Sequence, residues 1–162
     1  TRTMSYLIHP TLKESDSRSN PKLLRVFLDK DYTRLDFGYA THSYYIKGGW
    51  FNIYPQTHLR VHGIKEPFPL THAEGITFAP DRFHFESNKD WAYFSLYFKA
   101  IPLKSCVLDM IEEEDATEDT FNYFGVNIVL EEMIEVLFWE LIFHYLLIYK
   151  SNDYNIFTKY NF

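Results

Sequence analysis

Leu23-Leu24-Arg25-Val26-Phe27-Leu28-Asp29-Lys30-Asp31-Tyr32-Thr33-Arg34-Leu35-Asp36-Phe37-Gly38-Tyr39 alternates apolar and polar residues on either side of a short charged break. Period-two alternation marks a half-buried strand, because successive side chains leave a strand on opposite faces. With Lys30-Asp31 as a two-residue hairpin loop, Leu24 is expected opposite Phe37 and Val26 opposite Leu35 on one face. Arg25 then faces Asp36 on the other face. A slip of one residue sets charges against core positions, so the pattern selects its own register. The Arg25–Asp36 pair contributes only ~0.2–1 kcal/mol. Its use is as a check on the pairing.

The same alternation extends along the chain from Tyr6 to Ile128, in short runs broken by turn residues. Between Trp50 and His62, a loop of Pro55-Gln56-Thr57 places Phe51 against Val61 and Ile53 against Leu59 inside. Outside it places Trp50 against His62, Asn52 against Arg60 and Tyr54 against His58, provided both strands share one sheet. Trp91 to Lys99 reads as a strand with Phe94, Leu96 and Phe98 on one face and Trp91, Tyr93, Ser95 and Tyr97 on the other, half covered by neighbours. Cys106 to Ile111 and Phe121 to Ile128 complete a set of seven or so strands with no helix between them. That pattern predicts a mainly β fold, an antiparallel sandwich over residues 5–128.

Composition agrees. The chain has 162 residues, with 15 Phe, 13 Tyr and 3 Trp giving 19% aromatics, which suit pleated surfaces. A formal charge of −6 argues against a nucleic-acid partner bound by phosphate neutralisation. A lone cysteine excludes an intrachain disulfide and a multi-thiolate zinc site. Charge is uneven: +4 over residues 1–60, −7 over 61–125 and −3 over 126–162. The chain starts at Thr1 with no basic stretch leading into an apolar run, as a mature form or a fragment would.

Composition breaks at Gly125, since every Gly, Pro and Arg lies at or before it. The segment 129–162 therefore reads as a different kind of chain, an apolar helical tail with the character of an aberrant or truncated end. Glu131, Glu132 and Glu135 suit a helix N-terminus, and Val136 to Tyr149 is apolar nearly all round, predicting one C-terminal α-helix over 130–149. Its apolar surface calls for burial on the sandwich or against a second copy of the chain. Glu140 near its centre costs about 2.5–3.5 kcal/mol in hydrocarbon, which disfavours a membrane span.

Motifs of known chemistry are weak. His72-Ala73-Glu74 spells the first half of a zinc-deaminase signature, but no P-C-x-x-C follows. His58 and His62 stand about 13 Å apart along a strand at ~3.3 Å per residue, too far for one metal ion. Cys106 is expected to pack in the core rather than act as a nucleophile. Glu112-Glu113-Glu114-Asp115 lacks the spacing of a calcium loop and is expected to be a solvated loop. No catalytic residue, metal or cofactor is expected. One surface stands out as a ligand site: Trp50, Asn52, Tyr54, His58, Arg60 and His62, aromatic plates beside amide, imidazole and guanidinium donors that suit a sugar or a peptide.

Five motifs in order carry a resemblance: Gly49 to Arg60, Ala73-Glu74-Gly75-Ile76, Phe94 to Pro102, Leu108 to Glu112, and Phe121 to Val126. Together they resemble an uncharacterised β-sandwich domain of Bacteroidota-type proteins, found alone or ahead of a thioredoxin-like domain in envelope proteins. The resemblance implies an immunoglobulin-like sandwich, a periplasmic or cell-envelope location and no catalytic residues to carry over. After Gly125 the chain departs from the pattern, with no thioredoxin C-x-x-C. The leading expectation is a non-enzymatic interaction module acting through a protein partner or self-association. The alternative is a carbohydrate-binding module that uses the Trp50 face.

Overall fold

The computed structural model describes residues 4–10, 20–115, 117 and 120–130. Those residues are all-β, with no helix among them. The expected C-terminal helix over 130–149, and the self-association assigned to it, lie outside the described residues except for Leu130, which is in no helix.

Ten strands are described: β1 (Tyr6–Ile8), β2 (Lys22–Leu28), β3 (Tyr32–Ala40), β4 (Trp50–Phe51), β5 (His58–Val61), β6 (Phe68–Glu74), β7 (Phe83–His84), β8 (Trp91–Lys99), β9 (Cys106–Ile111) and β10 (Tyr123–Ile128). Eight of them form one nearly closed antiparallel sheet in the order β1-β2-β3-β8-β6-β5-β9-β10, while β4 and β7 make a small second sheet. The two halves of the large sheet meet at β6. Its first residues pair with β5 (His58↔Pro69, Leu59↔Phe68) and the rest pair with β8 (Leu70↔Phe98 to Glu74↔Ser95). A register shift between Leu70 and His72 lets the strand turn from one partner to the other, with the Thr71 hydroxyl donating to the Tyr97 carbonyl at 3.1 Å.

The hairpin at the start of the chain forms as its alternation dictates. Arg25 faces Asp36 at an Nε–Oδ2 distance of 3.1 Å, and Val26 faces Leu35. The turn is closed by the Asp29 amide donating to the Tyr32 carbonyl at 3.0 Å and by the Asp31 amide donating to the Asp29 carboxylate at 3.0 Å. Leu24 does not face Phe37. A bulge between Leu23 and Arg25 gives that place to Leu23, which is buried, and leaves Leu24 partly exposed. β8 spans the expected residues with Phe94, Leu96 and Phe98 buried. Its Trp91 and Tyr93 are exposed rather than half covered, because the strand beside them presents only Gly38 and Ala40.

The segment from Trp50 to His62 is not a hairpin. β4 pairs with β7, and β5 pairs with β9 and β6. The inward residues are nonetheless those the alternation marks, since Phe51, Ile53, Leu59 and Val61 are all buried. They join one core with Val26, Leu35, Phe37, Leu96, Leu108 and Val126. Burying side chains of this size stabilises by roughly 1.5–3 kcal/mol each. Tyr123 fills the centre, its ring 5.2 Å from that of Phe37 and its hydroxyl donating to the Pro21 carbonyl.

Candidate functional site

A cleft of about 380 Å³ opens where the β3–β4 loop, β4 and the acidic β9–β10 loop meet. The first wall is the loop Thr41 to Gly49. Thr41 donates to the Asp90 carbonyl through its amide (3.1 Å) and its hydroxyl (3.2 Å), and Asn88 Nδ2 donates to the Ser43 carbonyl at 2.9 Å. The loop closes on Gly48, whose φ is 82° and where an added Cβ would stand 2.5 Å from Phe85 Cβ, leaving no room for a side chain. This folding stacks His42 on Tyr44 at 5.2 Å and brings Tyr44 and Tyr45 to 4.3 Å.

Beneath the loop, Tyr39 stacks on Phe51 at 5.1 Å and on Phe85 at 5.4 Å, forming a rigid aromatic floor. Trp50 and Asn52 follow from β4. Arg82 lies 4.2 Å over the Trp50 ring, and Asn52 Nδ2 donates to the Asp81 carbonyl at 2.8 Å. Tyr44 (68%), Tyr45 (48%), Trp50 (46%) and Tyr54 (37%) all remain exposed, an unusual density of aromatic surface around one opening.

Glu112 fixes the opposite wall. It is buried, and its carboxylate accepts the Tyr54 amide at 3.1 Å and the Phe121 amide at 2.6 Å. Asn122 Oδ1 accepts the Glu112 amide at 2.7 Å, and Asn122 Nδ2 donates to the Glu113 carbonyl at 2.8 Å. The expected solvated loop is therefore exposed at Glu114 and Asp115, half-buried at Glu113 and buried at Glu112. Glu112 goes inward because backbone N–H groups there need an acceptor. Glu113 enters these bonds through its backbone alone.

The six residues singled out in the sequence divide into two groups. Trp50, Asn52 and Tyr54 line the cleft. His58 and Arg60 lie on β5 and His62 just past its end, where the chain's own carboxylates meet them. Arg60 pairs with Glu114, His58 Nε2 stands 3.9 Å from Glu114, and His62 Nε2 stands 3.1 Å from Asp109. The division follows from the turn at Thr57, whose amide and hydroxyl both donate to the Tyr54 carbonyl (3.1 and 2.6 Å), sending β5 to a different partner. The loop residues His42, Tyr44 and Tyr45 and the carboxylates Glu112 and Glu113 also line the cleft. The sequence signal for the former is an aromatic-rich stretch closed by Gly48-Gly49.

Cys106 is half-buried against the core, and burial pushes its thiol above the usual cysteine range, so it holds its proton at neutral pH. His72 and Glu74 sit on β6 at 3.5 Å from each other, with Glu74 accepting the Tyr97 hydroxyl at 3.0 Å. Among the described residues no group of three or more His, Cys, Asp or Glu is placed to hold a metal ion. No helix among them is long and apolar enough to cross a membrane. No protein-family model, curated protein or solved structure matches the chain.

Proposed function

We propose that this domain is a non-enzymatic recognition module whose ligand sits in the cleft between the β3–β4 loop and the β9–β10 loop. The observation that carries the reading is the ring of exposed aromatic side chains, Tyr44, Tyr45, Trp50 and Tyr54, around one opening. Exposed rings of this size cost solvation unless a partner covers them, and both loops are tied down by hydrogen bonds, so the opening is organised before any ligand arrives. A placement in the cell envelope and an immunoglobulin-like sandwich rest on the resemblance of the five motifs between Gly49 and Val126. A sugar is the second reading, favoured by Trp50, Asn52 and Tyr54 lining the same cleft.

Calorimetric titration of the full chain against panels of oligosaccharides and short peptides tests the module reading. Binding is expected from one panel and should be lost in Trp50→Ala, a substitution at an exposed ring that leaves the circular dichroism spectrum unchanged. Silence from both panels, or binding that survives Trp50→Ala, overturns it.

A further inference from the structure

We infer that the outer face of β8 at Trp91 and Tyr93 is a second binding site, an open platform for the surface of an uncharged, insoluble polysaccharide. Neither ring is among the residues that line the cleft. Trp91 is 66% and Tyr93 71% exposed, on a strand whose alternate residues Ala92 and Phe94 are buried. Two residues of strand set the rings about 7 Å apart on one face, at ~3.3 Å per residue. Their surroundings leave them open. Register sets Trp91 against Ala40 and Tyr93 against Gly38 on β3. On the other side Gly75 comes so close that an added Cβ would stand 2.4 Å from the Tyr93 carbonyl oxygen. Gly38 lies within a strand, where glycine weakens the sheet, and its φ is not positive, so space rather than backbone conformation accounts for it. That space is used. A Cβ on Gly38 would lie 3.5 Å from Tyr93 Cε1 and 3.8 Å from its Cδ1, so the ring leans across β3 where a side chain would stand.

Area and charge choose the occupant. Aromatic side chains bury roughly 150–250 Å² each, so two rings offer at most about 500 Å². Each partner of a stable protein pair contributes about 800 Å². Further along the same face, register brings Ser95, Asp36 and Arg25 side by side. Asp36 accepts the Ser95 hydroxyl at 2.7 Å and lies between Arg25 and Arg34 at 3.1 and 2.9 Å. Glu74, opposite Ser95 on β6, accepts the Tyr97 hydroxyl at 3.0 Å. Two guanidinium groups against two carboxylates favour neither sign of ligand. A sugar fits this face, since its C–H groups stack on the rings while its hydroxyls meet groups already held in place. A plate without walls grips a free chain poorly, because the chain loses conformational freedom on binding. Chains fixed in a solid have lost it already and present flat faces.

The test is sedimentation of the full chain with microcrystalline cellulose, chitin and curdlan. At least one solid is expected to carry the protein down, and Trp91→Ala and Tyr93→Ala should each weaken the partition about tenfold. Gly38→Val, which fills the space the Tyr93 ring leans into, should weaken it as well, whereas Gly38→Ala should bind nearly as the native chain does. Trp50→Ala, at the cleft, should leave sedimentation unchanged. Added salt should not release the protein, and soluble cellohexaose should compete poorly. Melting curves confirm the fold of every variant. No sedimentation with any solid, sedimentation that survives both Trp91→Ala and Tyr93→Ala, or release by salt overturns the platform. Sedimentation lost in Trp50→Ala alone overturns it too, and assigns the sugar to the cleft. A dimer of the full chain that Trp91→Ala breaks makes the face an interface between two copies and overturns it likewise.

Discussion

Glu112 carries more of the site than its place in an acidic run suggests. Two backbone N–H groups depend on its carboxylate, and one of them belongs to Tyr54 at the cleft rim. Glu112→Ala strands both donors and should cost about 2–4 kcal/mol in urea unfolding, whereas Glu112→Gln keeps an acceptor oxygen and should cost clearly less. Equal losses from the two would mean the charge matters more than the bonds. Asp90 does similar work under the β3–β4 loop. The Ser87 amide, the Ser87 hydroxyl and the Glu86 amide hold its carboxyl below the ordinary value of 3.8. A depressed carboxyl stabilises the fold above the ordinary value, and that contribution is lost as pH falls through the lower, folded value. The urea midpoint of Asp90→Asn should therefore drop relative to the native chain at about pH 6 and converge with it by about pH 2.

Strand geometry accounts for which glycines tolerate change. Gly63 and Gly75 both have positive φ, 84° and 74°. A Cβ on Gly63 meets nothing, while one on Gly75 would stand 2.4 Å from the Tyr93 carbonyl oxygen of β8. Gly63→Ala should cost about 1 kcal/mol for the backbone conformation alone, and Gly75→Ala about 3 kcal/mol, both read from denaturant midpoints. Matching losses would show that β8 gives way easily. Alternation shows where side chains point but not which strand lies alongside. Phe51, Ile53, Leu59 and Val61 were legible as core residues for that reason, yet β4 and β5 take different partners. The Arg25–Asp36 register was legible because charge and apolar pattern coincide there. The bulge at Leu24 was not, since neighbouring leucines Leu23 and Leu24 present the same chemistry one residue apart. Half of the candidate site was readable in Trp50, Asn52 and Tyr54. The other wall is made by residues some sixty positions downstream, and no local pattern announces that meeting.

Taken together, the buried side chains of the core run from Leu23 to Ile128, and Ser105 clamps the exit of β10 through its hydroxyl to the Leu130 amide at 2.9 Å. A chain ended after Leu130 loses none of them. It should keep a β-type circular dichroism spectrum and a single cooperative melt, and a featureless spectrum would refute the self-sufficiency of this body. β3 and β8 share nine consecutive pairs from Tyr32↔Lys99 to Ala40↔Trp91, whereas β5 and β6 share only His58↔Pro69 and Leu59↔Phe68, and proline brings no N–H. Deuterium should enter the amides flanking β5 and β6 well before those of β3 and β8. Thermal breathing then parts the wall along that line, wetting Leu59 and Phe68 for an instant while the β3–β8 centre stays shut.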